Sequence, residues 1–366
     1  MTDTGLFTDS RLSADRRLLP WQDMAPLSLA LLYVATIEFA AVDLDIGHKI
    51  AFGLYVSYFL IGFALCGSAG LAALMLRFLL RDRSKRLLPQ VKGELLAMGL
   101  SGPAVFRSLP ALILLPLFLS VFSSYKSLIP SISPFRWDAS LAALDRVIHG
   151  GVDPWIWLHP ILGTPWVTFA IDALYHPLWS IAFVTVWCWQ ALDHRDPVLR
   201  LQFLLAFLMV WILLGSVGAT LMSSAGPCYY GRVVGGPDPF EPLLAYLAEA
   251  RQHLPLASAF AQDSLWRAYA SGTVGVGSGI SAMPSVHVAT TLLFVLLARR
   301  YGGWLAWGFS ALLAVVLVGS VHLGWHYAVD SYAAILITVP VWFAAGSAAR
   351  SIVKVQSAGK FTLNLQ

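Results

Sequence analysis

Long apolar stretches recur along this chain, separated by shorter polar segments. They predict eight membrane-spanning helices, at about residues 26–42, 51–79, 104–123, 168–192, 199–222, 285–299, 303–321 and 328–349. A helix needs about 20 apolar residues to cross a hydrocarbon core of roughly 30 Å, and most of these stretches come close to that length. The pattern therefore predicts an all-α, polytopic integral membrane protein whose main partner is the bilayer.

Composition agrees with this prediction and excludes other classes. Hydrophobic residues make up 58% of the 366 residues, and charged residues only 12%. The net charge of +4 is carried by Lys and Arg that report membrane topology, so we expect no nucleic-acid partner. The three cysteines, Cys66, Cys188 and Cys228, are far apart, which argues against a disulfide framework or a thiolate metal site.

The positions of basic residues predict the orientation of the spans. Basic clusters precede the first span, follow the second, separate the fourth from the fifth and the sixth from the seventh, and follow the eighth: Arg16, Arg17, Arg77 to Arg86, His194, Arg195, Arg200, Arg299, Arg300, Arg350 and Lys354. In an eight-span arrangement all of these lie on one side, which the positive-inside rule makes the cytoplasm. We expect both termini to be cytoplasmic, and the compact loops favour a bacterial inner membrane.

Two long loops then fall on the extracytoplasmic side, at about residues 124–167 and 223–284. The first contains a short amphipathic segment around Leu141 to Ile148, and the second has a helical middle near residues 240–270 between glycine-rich turns.

Two polar motifs interrupt the apolar pattern in the last third of the chain. Ser285 stands where the sixth span begins, and His287 follows in its first turn, where free backbone N–H groups favour an anion. His326 and Asp330 are four residues apart, so a helix would place them on one face, with the carboxylate able to orient the imidazole. The topology brings both motifs to the same membrane face, which predicts a functional site.

These motifs resemble those of the type 2 phosphatidic acid phosphatase (PAP2) superfamily over about the last 200 residues. Its Pro-Ser-Gly-His motif corresponds to residues 284–287, and its final His and Asp correspond to His326 and Asp330. The resemblance implies that His326 is the nucleophile on phosphorus, Asp330 its orienting carboxylate and His287 the general acid. It also implies a phosphohistidine intermediate and a reaction without a metal or other cofactor.

The departures from the family pattern concern its phosphate-binding cations. The Lys and Arg-Pro of the first motif are absent, and residues 226–232 stand in their place; Gly319-Ser320 replaces the usual Ser-Arg, and Val286 replaces a glycine. With fewer cations, the site is better suited to a singly charged phosphodiester than to a phosphomonoester dianion. The pattern is similar to the branch containing inositol phosphorylceramide synthase and the sphingomyelin synthases, which implies transfer of a phospho-headgroup from a phosphodiester lipid to a hydroxyl-bearing lipid or to water.

The same resemblance implies a division of the chain. We expect a cytoplasmic tail at residues 1–25, an accessory helix pair with a basic linker at 26–100, a six-helix catalytic membrane domain at 101–350, and a second tail at 351–366.

Candidates for substrate and phosphate binding are polar or small residues near the two motifs: Ser285, His322, Arg232, Gly226, Tyr229 and Lys126. Several have a simpler interpretation. Arg232 could be an exposed loop residue, Lys126 an interface anchor beyond the third span, and His322 a brace for His326. Because Arg136 and Arg146 stand beside Asp138 and Asp145, a solvated face is favoured for these two carboxylates. A packing or capping role is favoured for Asp172 and His176.

Two alternative functions remain at this point. A lipid or polyprenyl phosphate phosphatase would use the same residues with water as the acceptor. A non-enzymatic transporter or metal-binding membrane protein would use His322, His326 and Asp330, which recur every four residues, as ligands or proton carriers.

Overall fold

A computed structural model describes residues 21–43, 50–82, 87–97 and 101–363. Helices account for most of these residues, turns and loops connect them, and no strand occurs among them. The first eight helices are α1 (Trp21–Asp43), α2 (Val56–Asp82), α3 (Leu87–Ala97), α4 (Gly102–Ile132), α5 (Asp138–Ile148), α6 (Pro154–Leu162), α7 (Pro165–Ala173) and α8 (Trp179–Leu192). The other eight are α9 (Pro197–Ile212), α10 (Ala219–Leu221), α11 (Tyr230–Val233), α12 (Glu241–His253), α13 (Ala257–Ser271), α14 (Val286–Ala298), α15 (Gly303–His322) and α16 (Ala328–Leu363).

Two of the long helical segments contain a π-helical turn. Leu174–Leu178 joins α7 to α8, and Leu213–Gly218 joins α9 to α10. Each such turn holds one residue more than an α-helical turn, and such turns are frequent at functional sites.

Seven of the helical segments are long and apolar enough to cross a membrane: Met24–Val42, Val56–Leu80, Gly102–Ile132, Pro165–Leu192, Pro197–Leu221, Gly303–His322 and Ala328–Gln356. They confirm the prediction of an all-α, polytopic integral membrane protein. The remaining predicted span, 285–299, is α14, whose 13 residues extend only about 20 Å. It packs against α9, α15 and α16, and most of its side chains are buried. This short helix therefore lies inside the bundle. There the surrounding protein can form hydrogen bonds with the N–H and C=O groups of the non-helical backbone that precedes it.

The third predicted span was too short, because α4 continues to Ile132. Ser123, Ser124 and Ser127 lower the hydropathy of its last turns, which placed the predicted end at about residue 123. In the structure these turns remain helical, and the hydroxyls of Ser124 and Ser127 donate to carbonyl oxygens four residues earlier, at 2.9 Å each. Lys126 consequently lies within a membrane helix and not beyond it.

Other boundaries differ at the chain ends. The helix α16 continues to Leu363, so most of the predicted tail 351–366 is helical. Of the predicted tail 1–25, only residues 21–25 are described, and they are helical. Parts of the basic linker, residues 83–86 and 98–100, lie outside the described residues.

Both predicted loops contain helices. The first holds α5 and α6, in agreement with the amphipathic segment predicted near Leu141 to Ile148. In the second, the predicted helical middle is two helices, α12 and α13, separated at residues 254–256, where Pro255 stands.

Candidate active site

A cavity of about 670 Å³ lies between the helices where α14 and α16 begin. Its polar wall includes Lys126, His176, His287 and His326. Its apolar wall is formed by side chains from α2, α4, the α7–α8 segment, α9 and α13, among them Phe59, Leu119, Phe122, Phe183, Trp211 and Phe260. Two of the three predicted catalytic residues thus share one cavity with a lysine from a different helix.

His287 reaches the cavity from the first turn of α14. The backbone N–H of Ser285 donates to the carbonyl oxygen of Asp330, and the Ser285 hydroxyl caps α14. The imidazole of His287 lies between two aromatic rings, 4.9 Å from the Tyr175 ring and 4.1 Å from the Trp179 ring, measured between centroids. Ser285 is buried and is not among the residues that line the cavity; its hydrogen bond to Asp330 joins α14 to α16.

His326 and Asp330 are held by the N-terminus of α16. The helix begins at Ala328, so His326 precedes it and the expected helical pairing does not apply. Instead, the Asp330 carboxylate reaches back: its Oδ2 accepts the Tyr327 N–H at 3.0 Å, as in a capping box, and lies 3.3 Å from Nδ1 of His326. Asp330 is fully buried and His326 is almost so. With Nδ1 facing the carboxylate, Nε2 is the nitrogen available for chemistry.

The helix α5 fixes both segments that carry this site. The Asp145 carboxylate accepts the N–H groups of Ala328 and Val329, at 2.7 and 2.9 Å, and so caps α16. The Asp138 carboxylate accepts the N–H groups of Ala225 and Gly226, at 2.9 and 2.8 Å.

The solvated face expected for the two carboxylates of α5 is therefore wrong. Asp138 and Asp145 are both buried, and Asp138 also accepts the hydroxyl of Tyr327 at 2.9 Å. Burial raises the pKa of both carboxyls, and the N–H donors oppose that rise. The neighbouring arginine that suggested a charged surface, Arg146, instead pairs with Asp153 at 2.8 Å.

Gly226 supports the His326 segment through its backbone. Its φ is +97°, and a Cβ at this position would lie 2.6 Å from the carbonyl oxygen of Trp325. Tyr229 lines the cavity, and its hydroxyl donates to the carbonyl oxygen of Gln262 at 2.9 Å. Burial raises the pKa of this phenol.

Lys126 lies on the cavity wall, on the face of α4 that meets the glycine-rich segment before α14. Gly279, with φ of +98°, packs against it so closely that a Cβ would lie 2.6 Å from the backbone carbon of Lys126. Within the described residues, no carboxylate pairs with its ammonium group. It is also the sole Lys or Arg among the described residues that line the cavity.

Two predicted phosphate ligands lie elsewhere. Arg232 is exposed, with its guanidinium 4.7 Å from the centroid of the Trp266 ring. His322 does not line the cavity, and its Nε2 lies 2.9 Å from the Thr168 hydroxyl. In the described part of the chain, no three His, Cys, Asp or Glu side chains converge on a point suitable for a metal ion. The geometry therefore does not support the alternative in which His322, His326 and Asp330 share a metal.

His176 is a cavity residue for which the sequence favoured packing or capping. Its ring centroid lies 6.3 Å from that of His287 and 5.4 Å from that of Trp325. The capping role belongs to Asp172 alone, which accepts the N–H groups of Ala257 and Ser258 at the start of α13. In the sequence, Pro177 could have indicated this position of His176, because a proline within a span interrupts the regular helical hydrogen bonding.

Fold and site together define a polytopic membrane protein with a histidine-lined cavity whose nucleophile candidate is oriented by a buried carboxylate. Residues 139–344, more than half of the chain, match the PAP2 superfamily, and the chain belongs to it. No curated protein and no solved structure matches the chain. Because the superfamily generally comprises phosphatases and phosphotransferases, the family supports a lipid enzyme of this type.

Proposed function

We propose that this protein is a membrane lipid phosphotransferase that moves a phospho-headgroup, of the inositolphosphoryl kind, from a phosphodiester lipid to a hydroxyl acceptor. The observation that carries the proposal is the pairing of His326 with the buried Asp330 on a cavity that His287 and Lys126 also line. It is the arrangement that covalent catalysis on phosphorus needs: a nucleophile with a fixed tautomer, a second imidazole for proton transfer and one cation.

In the first half-reaction, Nε2 of His326 attacks phosphorus while the bond from phosphorus to the leaving oxygen breaks. His287 gives a proton to that oxygen, which leaves as the hydroxyl of the remaining lipid. In the second half-reaction, the acceptor hydroxyl transfers its proton to His287 and its oxygen attacks phosphorus, and the bond to His326 breaks. Asp330 holds the ring of His326 throughout, and the His287 proton is restored.

The charge of the cavity supports a diester donor. Lys126 is the sole lysine or arginine among the described residues that line the cavity, and its one positive charge balances the one negative charge of a phosphodiester but not the two of a monoester. This agrees with the similarity of the motifs to the inositol phosphorylceramide synthase and sphingomyelin synthase branch. The apolar wall of the cavity suits the hydrocarbon part of a lipid.

We also propose that the site faces the extracytoplasmic side of a bacterial inner membrane, with both termini in the cytoplasm. Support comes from the basic residues of the loops, of which Arg299 and Arg300 lie at the opposite end of α14 from His287.

The proposal predicts that purified protein transfers headgroup from phosphodiester lipids to a hydroxyl-lipid acceptor in EDTA, and that His326→Ala abolishes transfer without unfolding the protein. The measurement is product formation over a panel of labelled lipids, together with the thermal unfolding of both proteins. Release of the headgroup phosphate to water would indicate a phosphatase with the same machinery. Equal activity of wild type and His326→Ala would contradict the catalytic assignment.

A further inference from the structure

His176 is a partly buried imidazole on the cavity wall, and one of its ring nitrogens has no partner in the described protein. Its Nε2 is inaccessible to solvent and has no hydrogen-bond partner in the described protein. Leaving a buried polar group unpaired costs about 1–3 kcal/mol, so such groups in proteins usually have a partner or a function. Because His176 lines the cavity, a small rotation of its ring would present Nε2 to a bound ligand, which would supply the missing partner.

The local backbone directs His176 to the cavity. It lies in the π-helical turn Leu174–Leu178, beside Pro177, which has no N–H to donate. Asp172, one turn earlier, lies on the same segment but is occupied by the N-terminus of α13. The nearest rings to His176 are those of Tyr175, Trp325 and His287, all of which line the cavity.

The proposed reaction leaves one position at phosphorus without a protein group. His326 attacks, His287 serves the leaving and attacking oxygens, and Lys126 can meet one non-bridging oxygen. A phosphodiester has a second non-bridging oxygen, on which negative charge stays during transfer. An N–H donor directed at this oxygen would stabilise the transition state.

We infer that Nε2–H of His176 binds the second non-bridging oxygen of the phosphoryl group, and that this residue makes the site selective for a singly charged phosphodiester over a dianionic monoester. The inference rests on the proposed function. An imidazole offers one donor at this end and carries no fixed charge, whereas an arginine would offer a permanent charge and a fork of donors suited to a dianion.

The test compares His176→Ala, His176→Gln and His176→Arg with wild type on two probes, phosphatidylinositol as the diester and phosphatidic acid as the monoester. Loss of the donor in His176→Ala lowers kcat/KM for phosphatidylinositol by about 100-fold. The amide of His176→Gln restores a large part of this loss, because it again supplies an N–H donor. His176→Arg shifts the ratio of the two kcat/KM values toward phosphatidic acid by about 10-fold, since its guanidinium adds a charge.

His253→Ala is the matched control, because it removes an exposed histidine on α12 outside the cavity. It leaves both kcat/KM values and their ratio unchanged. The ratio does not depend on the folded fraction of a preparation, so it remains decisive even for a variant that folds poorly.

Measuring His326→Ala in the same series separates the two proposals. If His326→Ala abolishes turnover while the His176 variants keep the wild-type rates and ratio, the role of His176 is overturned and the proposed function stands. If His326→Ala is as active as wild type, both are overturned.

Discussion

Individual residues around the start of α16 hold the proposed catalytic groups in place through backbone contacts as much as through side chains. The Asp330 carboxylate binds the N–H of Tyr327 and the ring of His326, and the carbonyl oxygen of Asp330 accepts the Ser285 N–H. Gly226 packs directly on Trp325, the residue before His326. A shift of this backbone would displace the proposed nucleophile, and even small displacements of reacting groups reduce rates strongly.

At this scale, Gly226→Ala is the informative change. The new Cβ would clash with the Trp325 carbonyl oxygen, and φ of +97° is unfavourable for alanine, so we expect a loss of about 1–3 kcal/mol in unfolding free energy and reduced kcat. Gly235→Ala is the control, because Gly235 also has positive φ, +74°, but nothing within 4 Å. Thermal unfolding and kcat are measured for both. Equal effects of the two variants would show that contact with Trp325 is unimportant.

At the scale of helices, α5 connects the two parts of the site. Its buried face presents Asp138 to residues 225 and 226, and Asp145 to the first N–H groups of α16. Carboxylates at a helix N-terminus satisfy unpaired donors and interact favourably with the helix dipole. Through these hydrogen bonds α5, which lies outside the membrane-spanning set, acts as a brace between the loop at residue 225 and the segment with His326.

Replacing Asp145 tests this brace. Asp145→Ala removes both hydrogen bonds to α16, and we expect it to lower the free energy of unfolding by about 1–2 kcal/mol and kcat by about 10-fold. Asp263→Ala is the control, since Asp263 forms an exposed ion pair with Arg251, a type worth about 0–1 kcal/mol. Unfolding in detergent and steady-state kinetics are the measurements. A kcat for Asp145→Ala equal to that of the control would show that α5 does not position the site.

Much of the helix content was predictable from the sequence, because apolar stretches of membrane length leave few alternatives to a helix. The pairing of His326 with Asp330 was also predicted, although it arises from a capping box and not from a shared helix face. The roles of Asp138 and Asp145 were missed because adjacent arginines resemble a solvated surface, and only tertiary packing shows which face is buried. His176 lies in a π-helical turn, and the regular α-helical period used to interpret the sequence does not predict which way a side chain in such a turn points.

At the scale of the whole molecule, the cavity has a polar part, lined by the histidines, and an apolar wall to which α2 contributes. Tyr58, Phe59 and Gly62 of α2 line it, together with Phe183 and Val184 of α8. Most other described side chains of α2 are exposed, as expected for a helix in contact with lipid. An amphiphile could therefore place its phosphate near the histidines and its hydrocarbon chain toward the membrane.

Filling the apolar wall tests this arrangement. Gly62→Leu adds a side chain where nothing lies within 4 Å, so we expect it to reduce kcat/KM for long-chain phosphodiester lipids by about 10-fold and to change short-chain analogues little. Gly67→Leu is the control on the same helix, with the same free space but no contact with the cavity. Equal loss for both chain lengths in Gly62→Leu would argue against chain binding here.

Trapping the proposed covalent intermediate tests the catalytic role of His326. Wild-type protein is mixed with phosphatidylinositol or another phosphodiester lipid without acceptor, quenched in alkaline denaturant and digested for mass spectrometry. We expect a headgroup-phosphoryl adduct on His326 that disappears when acceptor is added and is absent from His326→Ala. Turnover by wild type with no adduct on His326, or with the adduct on another residue, would contradict it.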